Sequence, residues 1–252
     1  MTNILLCGAC GKMGRTVAKV AASSDDVKIV AGYDIVIPSD SDFPVYTELE
    51  KIGESIDAII DFSHPSLTDG ILDYAVSKGV PAVVCTTGLS NEQKAKLTSA
   101  AEKTAIFYSA NMSIGVNLLI DLVKRASRLL EDNFDIEIIE KHHNLKMDAP
   151  SGTALAIADA ISDSVSYQPE YTYDRHSVRR RRNKSEIGIH SMRGGTIVGE
   201  HSVIFAGLDE TIELKHIATS KEVFATGAIK AAKFIAKKEP ALYSMTDLIS
   251  EN

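Results

Sequence analysis

NILLCGACGKMGRTVAKVAASSDDVKIVAGYD, residues 3–34, decides the fold. NILLC (3–7) has the apolar run of a short strand, and VKIVAGYD (27–34) reads as a second. Between them GKMGRTVAKVAAS (11–23) has helical spacing, with Met13, Val17 and Val20 or Ala21 on one face. Gly8, Gly11 and Gly14 are spaced G-x-x-G-x-x-G at the first strand-to-helix turn, and Asp34 ends the second strand twenty residues after the last glycine. A strand, a glycine turn, a helix and a strand ending in a carboxylate make up a dinucleotide-binding βαβ unit. Glycines let the backbone turn tightly and approach a pyrophosphate, and the helix N-terminus presents unpaired N–H groups with a partial positive charge. Asp34 is placed to accept hydrogen bonds from a ribose diol. Ile35 stands after the acid where an arginine would grip a 2′-phosphate, so the stretch favours NADH, while Lys12 and Arg15 leave room for NADPH.

CGAC (7–10) also has the C-x-x-C spacing of a redox dithiol at a strand-to-helix turn. Packing of small residues is the better reading, because the glycines already account for the turn. The third cysteine, Cys85, is remote in sequence, and no second C-x-x-C completes a zinc site.

The α/β alternation continues outward from this unit. IDAIIDF (56–62) and VPAVVC (80–85) read as buried strands, SLTDGILDYAVSKG (66–79) as the helix between them, and AIFYSAN (105–111) as another strand before the long helix SIGVNLLIDLVKRASRLL. In an open parallel sheet ligands lie beyond the carboxyl ends of the strands, so residues 62–65, 85–88 and 109–112 are expected to line a cofactor cleft.

Composition sets the outer limits. The chain has 252 residues, 44% hydrophobic and 24% charged, with a formal charge of −7, as in an ordinary soluble globule and against a general nucleic-acid binder. No apolar run is long enough to span a membrane, and MTNILLCGACGKMG lacks the marks of a signal peptide. Three cysteines do not form a disulfide framework, and a cytoplasmic location is expected.

In the second half FDIEIIEKHH (134–143) begins with strand alternation, so His142 and His143 point to opposite sides and take different roles. Either imidazole can serve as a proton donor or cationic partner near neutral pH. Lys146 is a point charge, and a candidate proton donor where desolvated. PSGT then opens the helix ALAIADAIS, with Ser151 or Thr153 as its cap and the N–H groups around Gly152 and Thr153 suited to a carboxylate. Adjacent histidines lack the i, i+4 spacing of metal ligands on a helix, and no metal is expected.

EKHHNLKMDAPSGTALA (140–156) closely resembles the E-x-H-H-x-x-K-x-D-A-P-S-G-T-A signature of the 4-hydroxy-tetrahydrodipicolinate reductase family, also called dihydrodipicolinate reductase, of lysine and diaminopimelate biosynthesis. The likeness runs through nearly the whole chain, in GACGKMGR, CTTGL, SANMSIGVN and RGGTIVGEHSVIFAG. The resemblance implies that His142 is the proton donor or acceptor and Lys146 the proton donor, with His143, Gly152 and Thr153 holding the carboxylates of a small cyclic dicarboxylate. It also implies nicotinamide dinucleotide contacts, to NADH or NADPH, at Gly8, Ala9, Cys10, Gly11, Lys12, Met13, Asp34, Cys85, Thr86, Thr87, Ser109, Ala110, Asn111 and Met112. Many relatives have arginine where this chain has Ile35 and glycine where it has Cys85, and both positions bear on the nucleotide. A related nicotinamide dehydrogenase of an amino acid or semialdehyde, or a non-catalytic nucleotide sensor, shares the N-terminal unit but has no need of the histidine and lysine motif.

YQPEYTYDRHSVRRRRNKSEIG (167–188), with arginines at 179–182, is read as a solvated, mobile loop in preference to a specific anion site. IGIHSMR, TIVGEHSVIFAG and ETIELKHIAT alternate as strands of an antiparallel or mixed sheet, and EVFATGAIKAAKFIAKK (222–238) is helical again. The expected fold is α/β. A Rossmann-like dinucleotide-binding domain comprises residues 1–113 plus 220–252, and an inserted α/β domain, 114–219, binds substrate and, by the resemblance, assembles a homotetramer through its sheet.

Overall fold

The structure, a computed structural model, describes residues 1–251. In chain order the elements begin β1 (Thr2–Cys7), α1 (Lys12–Ala22), β2 (Val27–Tyr33), β3 (Val45–Tyr46) and β4 (Ala58–Asp61). They continue α2 (Pro65–Lys78), β5 (Ala82–Val84), α3 (Asn91–Ala101), β6 (Ile106–Tyr108) and α4 (Ile114–Leu130). After these come β7 (Asp135–His142), α5 (Gly152–Ser162), β8 (Glu170–Thr172), β9 (Glu186–Arg193), β10 (Gly199–Ala206) and β11 (Thr211–Ala218). The chain closes with α6 (Glu222–Ile235), β12 (Leu242–Tyr243) and α7 (Met245–Ser250). Two compact units result: residues 1–114 with the chain from 221 onward, and residues 115–220.

The first unit is built on a parallel seven-stranded sheet, ordered β12-β6-β5-β4-β1-β2-β3. Its strands read as unbroken apolar runs because both faces are covered. Along β1, Ile4 and Leu6 join the core shared with α1 and α6, while Leu5 and Cys7 join the core under α2 and α3. From β1 the chain proceeds to β2 and β3 on one side and later to β4, β5 and β6 on the other. That reversal between β1 and β4 opens the crevice where ligands of such sheets bind. Helix ends are specified locally: Pro65 opens α2, Gly79 closes it at φ 63°, and Ser90 with Gln93 forms a capping box at α3.

The second unit carries a mixed five-stranded sheet, ordered β11-β10-β7-β9-β8. β10 runs antiparallel to β7 and β11, and β9 runs parallel to β7 and β8. Residues along β7 alternate between half-buried and buried, which places Ile136, Ile138, Glu140 and His142 on the covered side. There Ile136 and Ile138 meet Ile187, Ile189, Val203 and Phe205 under Ala154, Ile157 and Ile161 of α5 and Leu119 and Val123 of α4. The opposite face carries ion pairs, among them Lys141–Glu200 and His190–Glu137.

Residues 173–181 of the arginine-rich segment are exposed and irregular, as expected of a solvated loop, but the segment is also anchored to the sheet. β8 lies within it, and Arg182 donates to Glu137, Asp135 and the Ile136 carbonyl, while Arg175 bridges Glu137 and Glu186. The carboxylates that tie it down come from the strands it crosses, up to 47 residues away, so the run reads as free charge in the sequence. Arg179 and Arg181 remain exposed.

Candidate active site

In the first unit the turn after β1 is shaped by its glycines. Gly8 has φ +74°, and a Cβ there would lie 2.7 Å from the Phe62 carbonyl oxygen at the end of β4. A Cβ on Gly14 would lie 2.1 Å from the Gly8 carbonyl oxygen, so α1 sits directly on the turn. Gly11 is the N-cap of α1 and supplies no side-chain acceptor, which leaves first-turn N–H groups for another partner. Asp34, just past β2, accepts the Cys10 N–H (2.8 Å) and the Ile35 N–H (2.8 Å), and so pins the turn from below. Arg15 Nε donates to the Cys10 carbonyl (3.1 Å), and Lys12 is exposed on the same turn.

A cavity of about 380 Å³ lies beside this turn, lined by Met13, Phe62, Ser63, Cys85, Thr86, Thr87, Ala110, Asn111, Met112 and Phe224. Seven of the expected cofactor residues therefore share one cavity, and Ser109 stands at its edge with its hydroxyl donating to the Asn111 carbonyl (2.8 Å). Phe224 comes from α6, and nothing in its sequence neighbourhood marks it. Thr86 is buried, with its hydroxyl 2.9 Å from Asp61 Oδ2 and 3.2 Å from the Ser63 carbonyl. Its single proton serves that internal contact, whereas Thr87 is exposed. Asp61 is fully buried; burial raises its pKa, while hydrogen bonds from Ser63 and Thr86 act the other way. A turn whose backbone can be approached, an uncapped helix N-terminus and a carboxylate beyond the second strand fit a dinucleotide.

All three cysteines are free thiols. Burial pushes the pKa of Cys7 and Cys85 well up, and burial followed by the Asp34 charge raises that of Cys10. A dithiol catalyst needs a stabilised thiolate, so C-x-x-C here is a packing feature.

In the second unit the buried Glu140, His142, His201 and Ser151 form one polar cluster with the half-buried Arg193. Glu140 has no exposed surface. Its Oε2 accepts from His142 Nδ1 (2.6 Å) and Arg193 Nη1 (2.8 Å), and its Oε1 from Arg193 Nη2 (2.7 Å) and the Ser151 N–H (3.0 Å). Burial opposes its ionisation, but hydrogen bonds from Arg193, His142, Ser191 and the Ser151 N–H outweigh it and hold the carboxyl at about 2. Ser151 caps α5 by accepting the Ala154 N–H (3.2 Å), and its hydroxyl is 3.0 Å from His201 Nε2. His201, 4% exposed, packs edge-on to His142 at 5.2 Å between ring centroids. Burial, followed by the neighbouring His142, pushes its pKa down to about 4.

Around this cluster lie the other residues of the motif. His143 follows the end of β7, and its buried Nδ1 has no hydrogen-bond partner. Lys146 donates from its backbone N–H to the His143 carbonyl (3.2 Å), and its ammonium pairs with Asp148 at 2.8 Å. A Cβ on Gly152 would meet nothing within 4 Å, so space is open beside the N-terminus of α5, where Thr153 follows. The stretch from His142 to Thr153 thus carries an imidazole edge, an imidazole nitrogen without a partner among the described residues, an ammonium and a helix N-terminus, groups of the kinds that suit an anionic ring. Glu140, Arg193 and His201 carried no role in the sequence reading. The alternation of β7 marks Glu140 as inward-facing, but its partner Arg193 is 53 residues away.

Two sequence models of one family match the chain: "Dihydrodipicolinate reductase, N-terminus" over residues 2–112 and "Dihydrodipicolinate reductase, C-terminus" over residues 115–249. A 4-hydroxy-tetrahydrodipicolinate reductase from Caldanaerobacter subterraneus subsp. tengcongensis is 49% identical over 252 residues, covering 100% of this chain and 99% of the relative. Another from Clostridium novyi is 45% identical, with 99% and 98% covered. Among solved structures, a dipicolinate-bound dihydrodipicolinate reductase from Paenisporosarcina sp. TG-14 has the same fold, at a TM-score of 0.83 and 24% identity over 97% of both chains. The chain belongs to the dihydrodipicolinate reductase family.

Proposed function

We propose that the protein is an NAD(P)H-dependent reductase that converts 4-hydroxy-tetrahydrodipicolinate to tetrahydrodipicolinate with loss of water, in diaminopimelate and lysine biosynthesis. Supporting this reading is the segment from His142 to Thr153, which carries a His143 Nδ1 that is buried without a hydrogen-bond partner among the described residues, the Lys146 ammonium, and open space at Gly152 on the N-terminus of α5. His143, Gly152 and Thr153 hold the ring carboxylates and orient the ring, an effect on positioning. Bound NADH or NADPH supplies the hydride from C4 of its nicotinamide. As the hydride adds to the ring, negative charge develops on the ring-nitrogen side, and His142 with Lys146 provides the proton that neutralises it.

The cofactor is held by the turn Gly8–Met13, by Asp34 at a ribose diol, and by Cys85, Thr86, Thr87 and Ser109–Met112. Because the Thr86 hydroxyl is engaged with Asp61, residue 86 acts through its backbone. With Asp34 presenting a carboxylate and Ile35 no charge, the enzyme uses NADH preferentially or both dinucleotides. It works as a homotetramer in the cytoplasm. Met192 (46% exposed) and Ile217 (53%) flank Lys141 and Glu200 on the outer face of the second sheet, an apolar and ionic surface suited to another copy.

The test is the loss of NADH absorbance with the freshly made condensation product of pyruvate and aspartate semialdehyde. Substituting His142 or Lys146 by alanine is expected to lower kcat by about 10²- to 10⁴-fold. A change confined to KM reassigns these residues to binding.

A further inference from the structure

The geometry points to Glu140 as a positioning residue: it fixes the Nδ1–H tautomer of His142, so that Nε2 is the only ring nitrogen that exchanges a proton with the substrate. This rests on His142 being the proton donor, and it adds how the donor is set. Both Glu140 oxygens are fully engaged, by His142 Nδ1, both terminal nitrogens of Arg193 and the Ser151 N–H, so the carboxylate cannot turn away from the ring. A buried carboxylate held by that many donors remains an acceptor, and an acceptor opposite Nδ1 demands a proton there in both charge states of the imidazole.

Nε2 is left differently. His142 makes no other hydrogen bond among the described residues, and a Cβ at residue 199 would stand 3.1 Å from Nε2, so glycine keeps that edge clear. When the ring gives up its Nε2 proton it becomes the neutral Nδ1–H form with its contact to Glu140 unbroken, and no reorganisation accompanies the transfer. The other titratable and charged groups nearby are His201 on β10, edge-on to the ring, Arg193 on β9, which shares Glu140 Oε2, and Lys146 on the following loop, whose charge acts on His201. None of these is negative, and the charge facing Nδ1 is that of Glu140. Its acidity, about 2, keeps it ionised throughout the working range.

Imidazole ¹⁵N spectroscopy of the unmodified protein reads the tautomer without recourse to activity. The proposal expects a protonated Nδ1 and an unprotonated Nε2 for neutral His142; the reverse assignment overturns it. In Glu140→Gln, kcat is expected to fall about 10- to 100-fold, a share of what general acid catalysis contributes, with KM little changed. In the same variant the ¹⁵N pattern of neutral His142 should lose its fixed Nδ1–H form, because the amide no longer presents an obligatory acceptor to Nδ1. A Glu140→Gln enzyme of lowered thermal stability but unchanged kcat and unchanged His142 tautomer confines Glu140 to tying β7 to β9 and overturns the proposal. Full activity in His142→Ala would instead remove the proton-donor reading beneath it.

Discussion

Burying Glu140 and His201 beside the half-buried Arg193 is costly where polar atoms lack partners, as His201 Nδ1 and Arg193 Nε do among the described residues, and the cluster makes stability depend on pH in a defined direction. His201 has its pKa lowered from 6.5 to about 4, so the unfolded chain binds a proton that the folded chain refuses. Its contribution is intact above pH 6.5 and is lost as pH falls from 6.5 toward 4. Glu140, lowered from 4.5 to about 2, contributes fully above pH 4.5 and loses that contribution as pH falls toward 2. Each is a loss on acidification, so the melting temperature should fall in two stages, first below pH 6.5 and then below pH 4.5. For His201 the loss is up to about 3 kcal/mol at full titration. His201→Asn should flatten the first stage in calorimetric scans while keeping the second; an unchanged slope between pH 6.5 and 4 would contradict the assignment. At the residue scale, local features were legible in the sequence. The period of two along β7 puts His142 on its covered side, and the Pro-Ser-Gly-Thr entry offered Ser151 or Thr153 as the cap, of which Ser151 is the one used. Glu140 stayed hidden because a buried carboxylate is intelligible only with its partner Arg193, which strand pairing brings alongside.

At the level of elements, the turn between β1 and α1 opposes two tendencies. Alanine is favoured over glycine inside a helix by about 1 kcal/mol. A Cβ on Gly14, however, would reach 2.1 Å from the Gly8 carbonyl oxygen, and relieving such overpacking costs about 1–3 kcal/mol. Packing should win. Gly14→Ala is expected to be destabilised in urea titrations and to bind NADH at least ~10-fold more weakly, since the displaced turn is the one that receives the pyrophosphate. A gain in stability would show that the contact is slack. The same conflict occurs at Gly227 of α6, where a Cβ would lie 1.7 Å from the Met112 carbonyl oxygen. Long elements with strong periodicity, β1, α1, β2, α4 and α6, were legible in the sequence. α3, α7, β3, β8 and β12 went unread for local reasons: β3, β8 and β12 are two or three residues long, α7 is six, and α3 has few apolar side chains to mark a face. The anchoring of Arg182 went unread because its partners are carboxylates on strands that the sequence does not place beside it.

For the molecule as a whole, the chain leaves the parallel sheet after β6, builds the mixed sheet and returns with α6 to cover the core formed by β1, β4 and β5. The return is why the compact units divide differently from the two family segments, which meet between residues 112 and 115 and run on without a break to 249. The outer face of the mixed sheet, with Met192 and Ile217 exposed, is the surface proposed for contacts between copies. Light scattering should therefore give about four times the 27.2 kDa of one chain, and Ile217→Glu should lower that mass without unfolding the second unit; a monomeric wild-type mass would contradict the assignment.

Hydride is proposed to pass from a nicotinamide on the glycine turn to a dicarboxylate ring held by the His142–Gly152 loop. Turnover with NADH deuterated at both C4 positions, read by mass spectrometry of the product, follows that transfer itself. Tetrahydrodipicolinate carrying one deuterium is expected, with at least ~10²-fold less of it formed by His142→Ala or Lys146→Ala in the same reaction time. Product without deuterium, or oxidation of NADH with the ring left unreduced, would contradict it.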